Sequence, residues 1–503
     1  MRRGFGLAVA VVCVVLAPGQ AKPPKSPADA TEFAFAAAKH DGLNALAAFL
    51  RAFPKGADLH NHLGGAIYAE SYIGWAAEQG LCVDTQALAL AKPPCDGQKG
   101  LKPVAEFLRQ PDGREALMNA FSMRSFAGGS VADHDQFFAT FGRFGTSFDF
   151  PAAVAEVAAR AEHENILHLE LMSTFGSSDV WDIASKLQWT DDFDALAKQA
   201  RDNGLDAAVA HTRATLDADS KTVAAKLGCD KDANAPGCHV DIEYLAQLNR
   251  MQPNAVVFVQ ALLGAELARS DPRVLGINIV APEDSVPAIE NYATHMRIIA
   301  YTTKGPRPPH VALHAGELTL KLAPPEVLND HIRQAVEIGH AERIGHGSDI
   351  AYELGADQLL QEMKQRHVAV ELALTSNQQI LGLDAGTSPF RLYRRAGVPI
   401  ALSTDDAGVE RTTLTVEYAK AAIWFDLSYR DMKKLSIDSL RYSFLPGLDL
   451  WNEAEAVAAP CAHDAPGGTA STECAAFLKE NRRAALEWDL LARISAFERV
   501  HAK

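Results

Sequence analysis

Four short clusters carry the side chains best suited to chemistry: His60-Asn61-His62, His314-Ala315-Gly316-Glu317, Gly345-His346-Gly347 and Asp405-Asp406. Each follows a short apolar run of strand character. Side chains at i and i+2 of a strand share a face, so His60 and His62 can address one ion. The imidazoles of His60, His62 and His314 with the carboxylate of Asp405 form a nitrogen and oxygen set. It suits a single Zn²⁺ with a position left for water. Glu317, His346 and Asp406 then remain for proton transfer and for holding a substrate. Such a set implies hydrolytic chemistry.

Eight strand-like runs position these clusters, at about 57–62, 166–172, 205–211, 274–280, 310–314, 343–346, 368–374 and 399–404. Most are followed by helix-like stretches, and eight alternating units predict an α/β fold of the (β/α)8 TIM-barrel type. Catalytic groups of such barrels gather at the C-terminal strand ends. His60 and His62, His314, His346 and Asp405 end their runs there, on strands 1, 5, 6 and 8. Closure makes strands 1 and 8 neighbours, while strand 5 faces them across the mouth. The span from 57 to 405 exceeds a minimal barrel, so insertions are expected at 82–165 and 214–270. A helix-like stretch at 133–149 carries phenylalanines, read as core packing in preference to a roof over the pocket. Residues 31–53 have helical spacing and are expected to pack outside the barrel. The expected division is a leader over 1–21, a linker over 22–30 and one domain over 31–503. Within that domain the barrel core covers about 55–430, and extra helices cover 431–503.

The first 21 residues combine Arg2 and Arg3, an apolar stretch and a small-residue exit at Gly19 and Ala21, the pattern of a cleaved secretory signal. Export to a periplasm or the exterior is the expectation. Six of the seven cysteines then form close pairs, 82/95, 229/238 and 461/474, each bracketing a polar loop. In an oxidising compartment these predict three local disulfides. Loss of Arg2 and Arg3 takes the net charge from −15 to −17. With no basic run, the chain is a poor candidate for nucleic-acid polymers or an anionic membrane surface. The oligomeric state has no signature in the sequence.

The four clusters, as HNHL (60–63), HAGE (314–317), GHG (345–347) and TDD (404–406), resemble the motifs of the adenosine deaminase family in the family's order. Segment 276–284, GINIVAPED, is similar to the substrate loop of its secreted, growth-factor-type members. The resemblance covers roughly 55 to 430. It implies one zinc per chain on His60, His62, His314 and Asp405, activating a water that replaces the 6-amino group of a purine nucleoside. It further implies that Glu317 protonates ring N1, that His346 takes or orients the water proton, and that Asp406 contacts N7. Ala281 stands where the family has a glycine whose N–H meets N3, and Gly64 stands where adenosine-preferring members carry an acid for the ribose 5′-hydroxyl. The resemblance therefore leaves open adenosine, adenine or a 5′-modified adenosine as substrate. A secreted nucleoside-binding or signalling protein with little turnover is the reading from another class. A two-metal barrel bridged by a lysine on strand 4 is opposed by VLGINIVAPED, which has none. Zinc deaminases built on Cys-x-x-Cys are excluded by the cysteine spacing. The isolated His163, His168, His211, His295, His340 and His367 read as surface or satisfied core.

Overall fold

A computed structural model describes residues 26–452 and 456–502. The expected leader and the first residues of the expected linker lie outside the described residues. Residues 26–30, expected as the end of the linker, instead open a helix. Ser26 accepts a hydrogen bond from the Asp29 N–H, and Pro27 begins helix Pro27–His40.

Eight parallel strands form the centre: β1 Ala57–His62, β2 His168–Ser173, β3 Asp241–Asn249, β4 Val274–Val280, β5 His310–Ala315, β6 Arg343–His346, β7 Ala369–Leu372 and β8 Ile400–Leu402. They hydrogen-bond in chain order. The ring closes where the His62 N–H donates to Asp405 O and the Asp405 N–H donates to His60 O, at 3.1 and 2.8 Å. The barrel of the sequence reading is therefore present, with one strand misplaced. Residues 205–211 are not a strand but the start of helix Leu205–Leu227, entered through Gly204 with Asp206 in the first turn. Alanines and leucine there favour a helix over a pleat. The third strand lies at 241–249 instead, inside what read as an insertion. Its alternation was masked by Asp241, Glu243 and Gln247, polar side chains that find partners inside the barrel.

The insertion after β1 is real. It holds a three-stranded antiparallel sheet, Ala89–Ala91, Cys82–Asp84 and Leu101–Pro103 in spatial order, followed by helices that include Val131–Phe144. Ser130 and Asp133 form a capping box at that helix's start. Phe137 and Phe144 are buried in the core, Phe144 stacked on Tyr72 at 4.2 Å.

Helices Pro27–His40 and Leu43–Arg51 do pack on the outside of the barrel, against the C-terminal helix Arg482–His501 and its neighbours. Phe49 and Phe53 both stand edge-on to Phe497. Helix Tyr429–Arg441 lies against β8 and β1, burying Met432, Leu435 and Leu440. The barrel's last helix thus runs across the boundary expected at 430. Among the described residues no helix is long and apolar enough to cross a membrane.

Cys82 pairs with Cys95, Cys229 with Cys238 and Cys461 with Cys474. Closing loops of this size contributes roughly 2–3 kcal/mol each on the chain-entropy estimate. Non-reducing peptide mapping should recover these three pairs, and the reduced protein should unfold at a lower denaturant concentration. Cross-pairing, or free thiols at these positions, would contradict the arrangement.

Candidate active site

The C-terminal ends of β1, β5 and β8 bring the expected donors together. One ligand atom from each of His60, His62, His314 and Asp405 lies within 4.8 Å of the others. His62 Nε2 stands 3.0 Å from His314 Nε2, and both His60 Nε2 and His62 Nε2 face Asp405 Oδ1, at 3.4 and 3.2 Å. Each ring is oriented through its other nitrogen. His60 Nδ1 meets Glu371 Oε2 at 2.7 Å, His314 Nδ1 meets Asn278 Oδ1 at 2.8 Å, and His62 Nδ1 meets the Gln247 amide at 2.5 Å. Glycine at 345 makes the room, since a Cβ there would sit 2.6 Å from Cε1 of His60.

A cation fits this set on three counts. His60 Nε2 and Asp405 Oδ1 are buried without a hydrogen-bond partner among the described residues. Two imidazole nitrogens 3.0 Å apart need a proton or an ion between them. Carboxylates from two sides also surround His60: burial resists its charging, yet Asp405 and Glu371 push its pKa up to about 10. A divalent ion would satisfy the same field. Burial holds the His314 imidazole well below its usual range, with His60 and His62 adding to the effect, so it offers a free lone pair. Borderline N₃O donor sets of this kind suit Zn²⁺.

Beside the four donors stand the other expected residues. Glu317 Oε1 is 3.7 Å from His346 Nε2, and His346 Nε2 is 3.8 Å from Asp405 Oδ2. Burial raises the pKa of the Glu317 carboxyl, a shift toward the protonated form. His346 is oriented by Asn377 Oδ1 on its Nδ1 (3.0 Å). Asp406 is buried, and burial next to Asp405 raises its carboxyl well above the usual range. It occupies the space where a side chain on residue 65 would go: a Cβ on Gly65 would lie 1.5 Å from its Oδ1. Ala281 follows β4 at φ +83°, a conformation that favours glycine. His346 and Asp405 also have positive φ (66° and 61°). Three such residues around one site are a concentration of backbone strain of the kind found at functional centres.

Several supporting residues were not singled out in the sequence, although Glu283 and Asp284 end the GINIVAPED segment. Glu283 accepts hydrogen bonds from the backbone N–H of Gly316 and Glu317. It is itself held by His331 and Arg250. Although burial works against its charge, these neighbours keep its pKa near 2. Ser376 donates to Asp405 Oδ2 at 2.6 Å. His134, from helix Val131–Phe144 in the insertion, reaches Asp284 at 3.3 Å. An acid inside an otherwise apolar run, as Glu371 is in AVELA, was a further available signal.

A closed parallel barrel with a histidine and carboxylate mouth is the arrangement that metal-assisted hydrolysis would need. Residues 207–452, just under half of the chain, match the adenosine deaminase family model. The HNHL cluster lies outside the matched stretch and joins the site through the fold. The adenosine deaminase of Enterococcus faecalis is 35% identical over 136 residues, covering 27% of this chain and 37% of that protein. An adenosine deaminase-like protein of Drosophila melanogaster is 29% identical over 214 residues, covering 41% of this chain and 56% of that protein. The alignments therefore span only about a third to a half of these relatives. The barrel resembles the crystal structure of an adenine deaminase from Arthrobacter aurescens with a TM-score of 0.51 at 16% identity, covering 88% of this chain and 98% of that one.

Proposed function

We propose that the protein is a zinc-dependent aminohydrolase that converts adenosine, or a related 6-aminopurine nucleoside, to the 6-oxo product and ammonia. The observation that carries this reading is the convergence of His60, His62, His314 and Asp405 beside Glu317 and His346. These four would hold one zinc per chain, which when bound lowers the pKa of water toward about 7. The chain's own residues do the rest. Glu317, buried and protonated, gives its proton to ring N1 as C6 becomes tetrahedral. His346, fixed by Asn377, receives or orients the proton of the attacking water. Asp406 faces N7, and the backbone N–H of Ala281 faces N3. Metal-free protein reloaded with zinc should release ammonia from adenosine, and His314→Ala should lose both metal and activity. Full activity after exhaustive chelation, or no ammonia from any 6-aminopurine nucleoside, would overturn the proposal.

Gly64 sets the expected specificity. A Cβ placed on it would find only the Tyr72 hydroxyl, 3.9 Å away, so no side chain contacts a 5′-hydroxyl from this position. Glu70, a candidate replacement, is engaged by Arg411 at 3.0 and 3.1 Å. A site that buries a carboxylate on a substrate hydroxyl discriminates by about 10⁴–10⁵. Without one, adenosine and 5′-deoxyadenosine should differ by no more than about tenfold in kcat/KM. A thousand-fold preference for adenosine would show that another acid does this work.

The proposed location is outside the cytoplasm, by cleavage after Ala21. The three disulfides support it. N-terminal sequencing of the protein from its native cells should begin at Lys22.

A further inference from the structure

At the end of the barrel opposite the mouth, three buried donor atoms converge. They are Nδ1 of His168 on β2, and Oδ2 of Asp241 and Oε2 of Glu243 on β3. Apart from the ion pairs they form with one another, none has a hydrogen-bond partner among the described residues, and the side chains of His168 and Glu243 are 0% and 3% exposed. The backbone explains the meeting. Asp241 and Glu243 are two apart on one strand and share a face, and His168 pairs with Asp241 across the strands.

The spacing is that of a coordination sphere. His168 Nδ1 lies 3.0 Å from Asp241 Oδ2 and 3.6 Å from Glu243 Oε2. The donors at the mouth are 3.0, 3.2 and 3.4 Å apart. A tetrahedron with bonds of about 2.1 Å has edges of about 3.4 Å, and both sets fall around that value. The outer atoms are held as the partners of metal ligands usually are. Arg482 contacts Asp241 Oδ1 and Glu243 Oε1, and Glu170 Oε1 stands 3.5 Å from His168 Nε2. The inner oxygens and Nδ1 are thereby left facing one another.

We propose that His168, Asp241 and Glu243 bind a second divalent cation of the Zn²⁺ or Mn²⁺ type, with water completing its coordination. The side chain of Asp241 is 18% exposed and that of Arg482 42%, which gives the ion a route from solvent. Bound there, it clamps β2 to β3 and, through Arg482, to the C-terminal helix. It lies toward the strand starts, below the donors of the mouth, and takes no part in the reaction at that end.

The test is a metal count on full-length protein equilibrated with Zn²⁺ and then freed of loose metal, repeated with Mn²⁺. Wild type should hold two equivalents, His314→Ala one, Glu243→Gln one, and the double variant none. Glu243→Gln should keep the wild-type rate of ammonia release within about twofold. In His314→Ala the unfolding midpoint should still rise on adding Zn²⁺. One equivalent in wild type with none in His314→Ala, under both metals, would overturn the proposal and leave a metal-free ion-pair cluster. The His314→Ala count decides the matter even if Glu243→Gln fails to fold.

Discussion

Glu317→Gln is expected to fold, to keep its zinc and to lose about 10²–10⁴-fold in kcat, the usual contribution of a positioned proton donor. Glutamine has the same shape and can still donate a hydrogen bond, but it has no proton to give up as C6 is attacked. The backbone that places it is fixed independently, because Glu283 accepts from the N–H groups of Gly316 and Glu317 at 3.1 and 2.9 Å. The loss should therefore fall on kcat, with KM changed little and the metal count unchanged. A variant that keeps its rate within tenfold of wild type would remove Glu317 from the proton transfer. A variant that loses its zinc would show that the side chain supports the metal site instead.

Much of this centre was legible because parallel barrels place function in one repeating position. Residues at the ends of apolar strand runs become neighbours, so His60, His62, His314, His346 and Asp405 could be grouped without knowing how the rest folds. The third strand was not legible, for a reason tied to the same geometry. Inward-facing Glu243 and Gln247 are stabilised by partners from other strands and from the C-terminal helix, and in the linear sequence those partners are invisible. Polar residues without visible partners read as loop. Residues 205–211 failed in the opposite sense: they are apolar enough for a buried strand, and only the alanine content and the helical continuation to Leu227 separate the two. His168, read as surface or satisfied core, is buried core, and the Asp241, Glu243 and Glu170 that gather around it become its neighbours only in the folded chain. Supporting residues such as Asn278, Ser376 and Asn377 are side chains of common type, distinguished only by what they touch.

Arg343→Met is expected to destabilise the protein by about 3–5 kcal/mol and to weaken the affinity of the mouth for zinc by about 10–100-fold. Arg343 is buried inside the barrel at the start of β6, between Glu170 (2.6 Å) and Glu371. It also donates to Tyr442 O at 3.0 Å, and its guanidinium lies 3.6 Å over the ring of Phe444. Burial alone would raise the pKa of Glu170, but Arg343 first, and then His168, holds it near 2. Methionine fills similar volume and leaves both carboxylates buried without their cation, which is the costly way to break a buried ion pair. Glu371 is also the partner of His60 Nδ1 at 2.7 Å, so a carboxyl that takes up a proton or shifts will loosen that imidazole. Arg343 thus acts on the metal site as a positioning residue. The pH dependence gives a separate readout. A carboxylate at about 2 when folded and 4.5 when unfolded contributes stability that is present above pH 4.5 and lost as the pH falls toward 2. Wild type should lose that contribution across this window, and Arg343→Met should show a flatter acid profile. Adding Glu170→Gln and Glu371→Gln to Arg343→Met should recover part of the stability at pH 7, since no charge is then left unpaired, but not the zinc affinity. A single variant within 1 kcal/mol of wild type in denaturant unfolding, with unchanged zinc affinity, would show that Glu170 and Glu371 are compensated by other groups.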